Sequence, residues 1–275
     1  MPRPNDPKTL ACDFARSYEL GRSPVVRELE RSVLGCDYGG TSWTTRHEAV
    51  RVAEMLELRP QKQLLDLGAG SGWPGLYLAQ ATGCDVVLVD VPLAGLRVAM
   101  DRAAMDGLHA QCRGVTADGA KLPFRNAAFD AISHSDVLCC MPAKLSLLRE
   151  CRRVARDGAR MVFSVIAVTP DLSDAERRIA LDGGPVFVEA PNDYAVLLDQ
   201  SGWQMLERID LTAEFARCVR ALVEGTKARA DALTAALGRE EFAERLERRQ
   251  TTLTATDRGL LRREIFVATT SGSTM

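Results

Sequence analysis

The 275-residue chain contains no run approaching 18 consecutive apolar residues, which excludes a helix that crosses a bilayer. It also lacks a surplus of positive charge. Its 35 Lys and Arg stand against 37 Asp and Glu, a formal net charge of −2, whereas a dedicated nucleic-acid binder draws its phosphate affinity from excess Lys and Arg. The opening Met1-Pro2-Arg3-Pro4-Asn5-Asp6-Pro7 carries no hydrophobic export segment, so a cytoplasmic location is expected. The eight cysteines form no Cys-x-x-Cys pair, which removes the usual zinc spacing, and no metal site is expected. In a reducing compartment they read as small buried hydrophobes rather than bridges. The adjacent pair Cys139-Cys140 stands out, with packing at a strand-to-helix junction as its plain reading. No internal repeat and no low-complexity segment is found.

What is present is a globular composition, 46% apolar and 26% charged, enough for one large domain or two ordinary ones. Residues 8–34 have a helical pattern, with Pro24 able to open a second helix after Ser23, and a turn-rich stretch from Gly35 to Trp43 follows. Thr45 to Leu58 has helical spacing. From residue 63 short apolar runs alternate with amphipathic segments. Gln63–Leu67, Asp85–Val89, Ala128–Ser133 and Arg160–Val168 read as strands, with a weaker one near Gln111–Val115. Helices are expected from Leu93, behind Pro92, and over Ala143–Ala155, Asp171–Ala180 and Asn192–Gln200, and further strands at Met205–Leu211 and Glu264–Thr269. This rhythm predicts an α/β fold, a Rossmann-like doubly wound and mostly parallel seven-stranded sheet. The expected division is an N-terminal helical lid over residues 1–60, a core over 61–211, a helical cap over 212–262, and the last core strand with a fraying tail over 263–275.

The strongest chemical signal is Leu64-Leu65-Asp66-Leu67-Gly68-Ala69-Gly70-Ser71-Gly72-Trp73-Pro74-Gly75, a strand entering a glycine-rich turn and then a helix. Gly70-x-Gly72-x-x-Gly75 satisfies a dinucleotide fingerprint, with Asp90 near the distance for a ribose contact. Asp66 favours a different ligand: a carboxylate two residues before the first glycine suits an ammonium or sulfonium and would repel a pyrophosphate. Asp90 and Asp118-Gly119 follow at the next two strand ends, where a carboxylate can accept bonds from ribose hydroxyls or an adenine amino group.

With these residues in place, the chain resembles the class I S-adenosylmethionine-dependent methyltransferases over roughly residues 45 to 211, through DLGAGSG, LVDVP, ADGAKLPFRNAAFDAI and HSDVL. The resemblance implies S-adenosyl-L-methionine as cofactor and S-adenosyl-L-homocysteine as product. It implies that Asp66, Gly68, Ala69, Gly70 and Gly72 surround the methionine part, that Asp90 and Val91 hold ribose and adenine, and that Asp118 and Gly119 hold the adenine rim. The backbone near His134 and Ser135 would meet the amino group. Tyr38 and Ser135-Asp136 look like the amine-type branch of sarcosine, dimethylglycine and phosphoethanolamine methyltransferases, although Cys140 stands where the phosphoethanolamine enzymes carry histidine.

Methyl transfer is an in-line displacement, so the expected catalytic work is alignment and exclusion of water, with His134, Asp136 and Tyr38 as candidate bases. His134 reads equally well as a structural imidazole at a strand end. Trp43, Cys140 and Tyr194 are candidate walls of the acceptor pocket, and Arg262-Arg263 reads as a solvated pair at a helix end. The expected partner is a small-molecule acceptor, with no nucleic acid and no membrane, and a homodimer left open. Two other classes stay in view: methylation of RNA or protein, and a non-catalytic cofactor-binding module, including one for NAD.

Overall fold

The computed structural model describes residues 6–270; the first five residues and the tail expected to fray from Ser271 lie outside the described residues. Strands β1 (Gln63–Leu67), β2 (Asp85–Asp90), β3 (Cys112–Thr116), β4 (Phe129–Ser135), β5 (Ala155–Val168), β6 (Trp203–Asp210) and β7 (Leu261–Thr270) form one seven-stranded sheet in the order β3-β2-β1-β4-β5-β7-β6. The first five are mutually parallel, and β7 runs antiparallel between β5 and β6. The chain winds outward from β1 to β3 and returns at β4. The carboxyl ends of β1 and β4 therefore flank the point where the winding reverses, and a crevice for ligands opens there.

Helices α1 (Pro7–Leu20), α2 (Pro24–Leu34) and α3 (Arg46–Met55) precede the sheet; the Asp6 carboxylate caps α1 and the Thr45 hydroxyl caps α3, each accepting a backbone N–H. Between strands come α4 (Gly75–Thr82), α5 (Leu93–Met105), α6 (Lys144–Val154), α7 (Asp174–Gly183) and α8 (Tyr194–Gln200). Helix α7 starts three residues later than its apolar pattern suggests, because Ser173 and Glu176 form a reciprocal capping box that fixes the first turn. The insert before the last strand folds into α9 (Thr212–Ala228), α10 (Ala230–Leu237) and α11 (Arg239–Asp257).

The strand alternation sorts the core into two faces. Leu65, Leu67, Ile132, Phe163 and Phe266 point to one, under α6, α8 and α9, and Leu64, Leu88, Ala131, Val162 and Ile265 point to the other, under α3, α4 and α5. Helix α9 packs on α2 as well as on α11, so the insert meets the N-terminal helices above the sheet. The solvated Arg262-Arg263 pair is corrected here. Strand β7 already begins at Leu261, and alternation turns the Arg263 side chain inward, to 1% exposure.

Candidate active site

Three positive-φ glycines, Gly68, Gly70 and Gly72, carry the chain from β1 over the sheet edge. Gly68 is exposed, and Asp90 lies at the end of the neighbouring strand, where one carboxylate oxygen accepts the Gly70 N–H and the other the Val91 N–H, both at 2.7 Å. Val91 is 51% exposed beside it. Ala69 is buried and ties the turn to β2 by donating its N–H to the Val89 carbonyl, while Gly119 follows Asp118, whose exposed carboxylate accepts the Ala120 N–H. Ser135, half-buried, ends β4 on the same edge. The structure thus brings Gly68, Gly70, Asp90, Val91, Asp118 and Ser135 together along the carboxyl ends of four parallel strands.

Asp66 sits differently from expectation. Its side chain points under the turn, 1% exposed, where one oxygen accepts the Ser133 hydroxyl at 2.6 Å and the other has no partner. A Cβ on Gly75 would lie 2.4 Å from that second oxygen, so glycine is required there for the helix start to close over the acid. Burial pushes the Asp66 carboxyl up to about 7, and burial likewise raises Asp90 to about 6 against the lowering by its backbone donors. Asp66 braces the turn from beneath rather than presenting charge on its open side.

Tyr18 of α1, which sequence reasoning missed, covers that open side. A Cβ on Gly70 would meet its hydroxyl at 2.7 Å, and the hydroxyl lies against the Asp90 carboxylate and Thr41. The signal was weak: one tyrosine on a half-buried amphipathic helix, 50 residues from the turn it covers. Glu30 secures the same cover by accepting N–H bonds from Gly39 and Gly40.

Each of the three candidate bases makes contacts of its own in the structure. His134 turns into the core, stacked on Phe163 with ring centroids 4.7 Å apart, both nitrogens unpartnered, and burial lowers it to about 3. It belongs to an in-register row, Leu67, His134, Phe163, Phe266 and Arg208, running across five strands. Tyr38 packs on Trp73 at 5.2 Å beneath the Arg102 guanidinium, and burial raises its hydroxyl to about 12. Asp136 does stand at the site edge, with φ 56, but both its oxygens accept from Arg263 Nε at 3.0 and 3.1 Å. Arg263 also donates two 2.8 Å bonds to Glu48 and one of 3.0 Å to the Ser164 hydroxyl. This buried fork joins α3, β5 and β7 to the end of β4, and burial is outweighed there by two carboxylates that raise the guanidinium further.

The three candidate wall residues lie on one face of the sheet. Trp43, Cys140 and Tyr194 belong to or pack against one apolar cluster, and Trp43 meets Phe215 of α9 edge-on at 5.1 Å. Tyr194 is 1% exposed with an unpartnered hydroxyl. Cys140 is half-buried in the short 3-10 turn Leu138–Cys140, between β4 and α6.

Known proteins resemble this chain in sequence and in fold. The methyltransferase GfsG of Streptomyces halstedii is 30% identical over 166 residues, 58% of this chain and 59% of that protein, so the chain spans less than two thirds of that relative. A putative sarcosine dimethylglycine methyltransferase from Galdieria sulphuraria superposes with a TM-score of 0.73 at 17% identity, covering 81% of this chain and 82% of its own. The 4+2 cyclase SpnF superposes with a TM-score of 0.73 at 18% identity, covering 96% and 97%. Residues 65–163, from β1 through the middle of β5, match the methyltransferase domain family. That match sets a methyltransferase domain within this sheet, over the strands that carry the glycine turn, Asp90 and Asp118.

Proposed function

We propose that the chain binds S-adenosyl-L-methionine along the β1–β4 edge and transfers its methyl group to a small-molecule acceptor, an N- or O-nucleophile. The observation that carries this reading is Asp90: a strand-end carboxylate bonded to Gly70 of the turn, flanked by exposed Gly68 and Val91, with Asp118 at the next strand end. The fit is supported by the exposed backbone at Gly68 and by the unpartnered Ser71 hydroxyl in the turn. When bound, the cofactor supplies an electrophilic methyl on a sulfonium.

The chain's own residues then have separable duties. The turn backbone from Gly68 to Gly72 receives the methionine part, with Ser135 opposite. Asp90 accepts the ribose hydroxyls in place of the Tyr18 hydroxyl, Val91 supplies an apolar face to adenine, and Asp118 and Gly119 line its rim. Trp43, Cys140 and Tyr194 hold the acceptor and keep water out. His134, Asp136 and Tyr38 are each committed elsewhere, so the rate rests on alignment and water exclusion. The near-neutral charge supports a small acceptor over RNA, and eight free cysteines support a reducing, cytoplasmic setting. No helix of the described residues is long and apolar enough to cross a membrane.

A second reading, cofactor-fold chemistry without methyl transfer, is favoured by those committed bases together with the likeness to SpnF. Calorimetric titration with S-adenosylmethionine, S-adenosylhomocysteine and NAD tests the site. Binding of the first two alone is expected, and binding of NAD alone would overturn it. Acceptor turnover with stoichiometric S-adenosylhomocysteine then separates the two readings.

A further inference from the structure

Helices α2, α9, α10 and α11 enclose a cavity of ≈ 10 Å³, walled by Leu29, Leu233 and Phe242 and edged by Thr226, Arg245 and Arg249. That is room for one water-sized particle. Arg249 donates to the Thr226 hydroxyl, which in turn donates to the Leu222 carbonyl at 2.5 Å, and no carboxylate among the described residues pairs with Arg249. Arg245 gives its Nε to Glu241 at 2.6 Å but leaves a buried Nη2 without a partner. Glu241 is already shared with Arg16 at 2.9 Å. Arg16 and Arg245 thus share one carboxylate, and burial, with Arg245 and Arg248 beside it, lowers Arg249 to about 10. A buried guanidinium N–H left without an acceptor, as at Arg245 Nη2, favours a bound counter-ion.

We propose that this cavity is a binding site for a small monovalent anion of the halide class, which receives N–H bonds from Arg245 and Arg249 and neutralises the cap. The alternative occupant, water, fits the walls less well. Water needs acceptors for its own hydrogens, and apart from Thr226 the lining offers donors and hydrocarbon; a halide only accepts. The site locks α11 to α9 and α2, and through Glu241 and Arg16 to α1, which carries Tyr18.

Thermal unfolding of the full chain at constant ionic strength tests this, with sodium chloride or bromide replacing sodium gluconate. A saturable rise of about 3 °C in the midpoint is expected with either halide. The rise should vanish in Arg249→Met and shrink in Thr226→Val, which keeps the charge but loses the anchoring hydroxyl. Crystals grown in bromide should show anomalous density between Arg245 and Arg249. Equal midpoints in chloride and gluconate, or a halide response unchanged in Arg249→Met, would overturn the proposal and leave the cavity to water.

Discussion

His134 and Asp66 lie on opposite faces of the sheet, and burial shifts them in ways that pH can read separately. An unfolded histidine takes a proton near pH 6.5, whereas folded His134 resists until about 3, so protonation favours unfolding and stability is lost as pH falls below 6.5. His134→Phe should keep the stack on Phe163 and gain about 2 kcal/mol relative to wild type on going from pH 7 to pH 5, measured by urea denaturation. A retained catalytic base would instead lose turnover without this pH trend. Asp66 carries the opposite sign. Its folded carboxyl titrates near 7 against 3.8 unfolded, so its contribution is full below pH 3.8 and is lost as pH rises from there to 7. Asp66→Asn, which still accepts from Ser133, should gain on wild type steadily from pH 4 to pH 8; parallel curves would show that the carboxyl is not desolvated.

At the scale of elements, apolar runs and glycine turns made the strands legible because local pattern alone determines them. The acid-bearing strand ends at Asp90 and Asp118 were legible for the same reason: parallel strands deliver their carboxyl ends to one edge. What could not be read was which way a strand-end side chain turns, and what distant helix covers it. His134 was placed at the site from its position, yet strand parity sends it to the core with Phe163. As one of two adjacent arginines at a helix end, Arg263 reads from sequence as solvated, since charge clusters usually face water. Its fork instead joins α3, β4, β5 and β7 through partners up to 219 positions away. Removing one side of such a buried network leaves the rest charged and unpaired. Arg263→Met should therefore cost about 3–5 kcal/mol, through Glu48 and Asp136 left without a cation. Arg263→Lys should recover only part of that loss, since an ammonium cannot fork to two carboxylates at once. Full stability in Arg263→Lys, measured by urea titration, would mean that charge and not geometry holds the cluster.

On the scale of the whole molecule, sequence likeness and structural likeness have different reach. The family match stops within residues 65–163, which hold the turn, Asp90 and Asp118, whereas superposition on solved structures extends over 81% or 96% of the chain. The segment before β1 and the α9–α11 insert lie outside that family match, and they meet at Trp43 and Phe215. Acceptor choice belongs to that seam if the proposed function holds, because the cofactor edge is complete without it. Trp43→Ala removes an aromatic wall that touches neither the glycine turn nor Asp90. Its affinity for S-adenosylhomocysteine should stay within about twofold of wild type, while turnover of an accepted substrate falls about tenfold or more, the usual consequence of losing one large apolar contact. Calorimetry and product formation on the same preparation separate the two effects. A parallel loss of cofactor affinity would move Trp43 from the acceptor wall into the lid that Tyr18 and Glu30 hold over the turn.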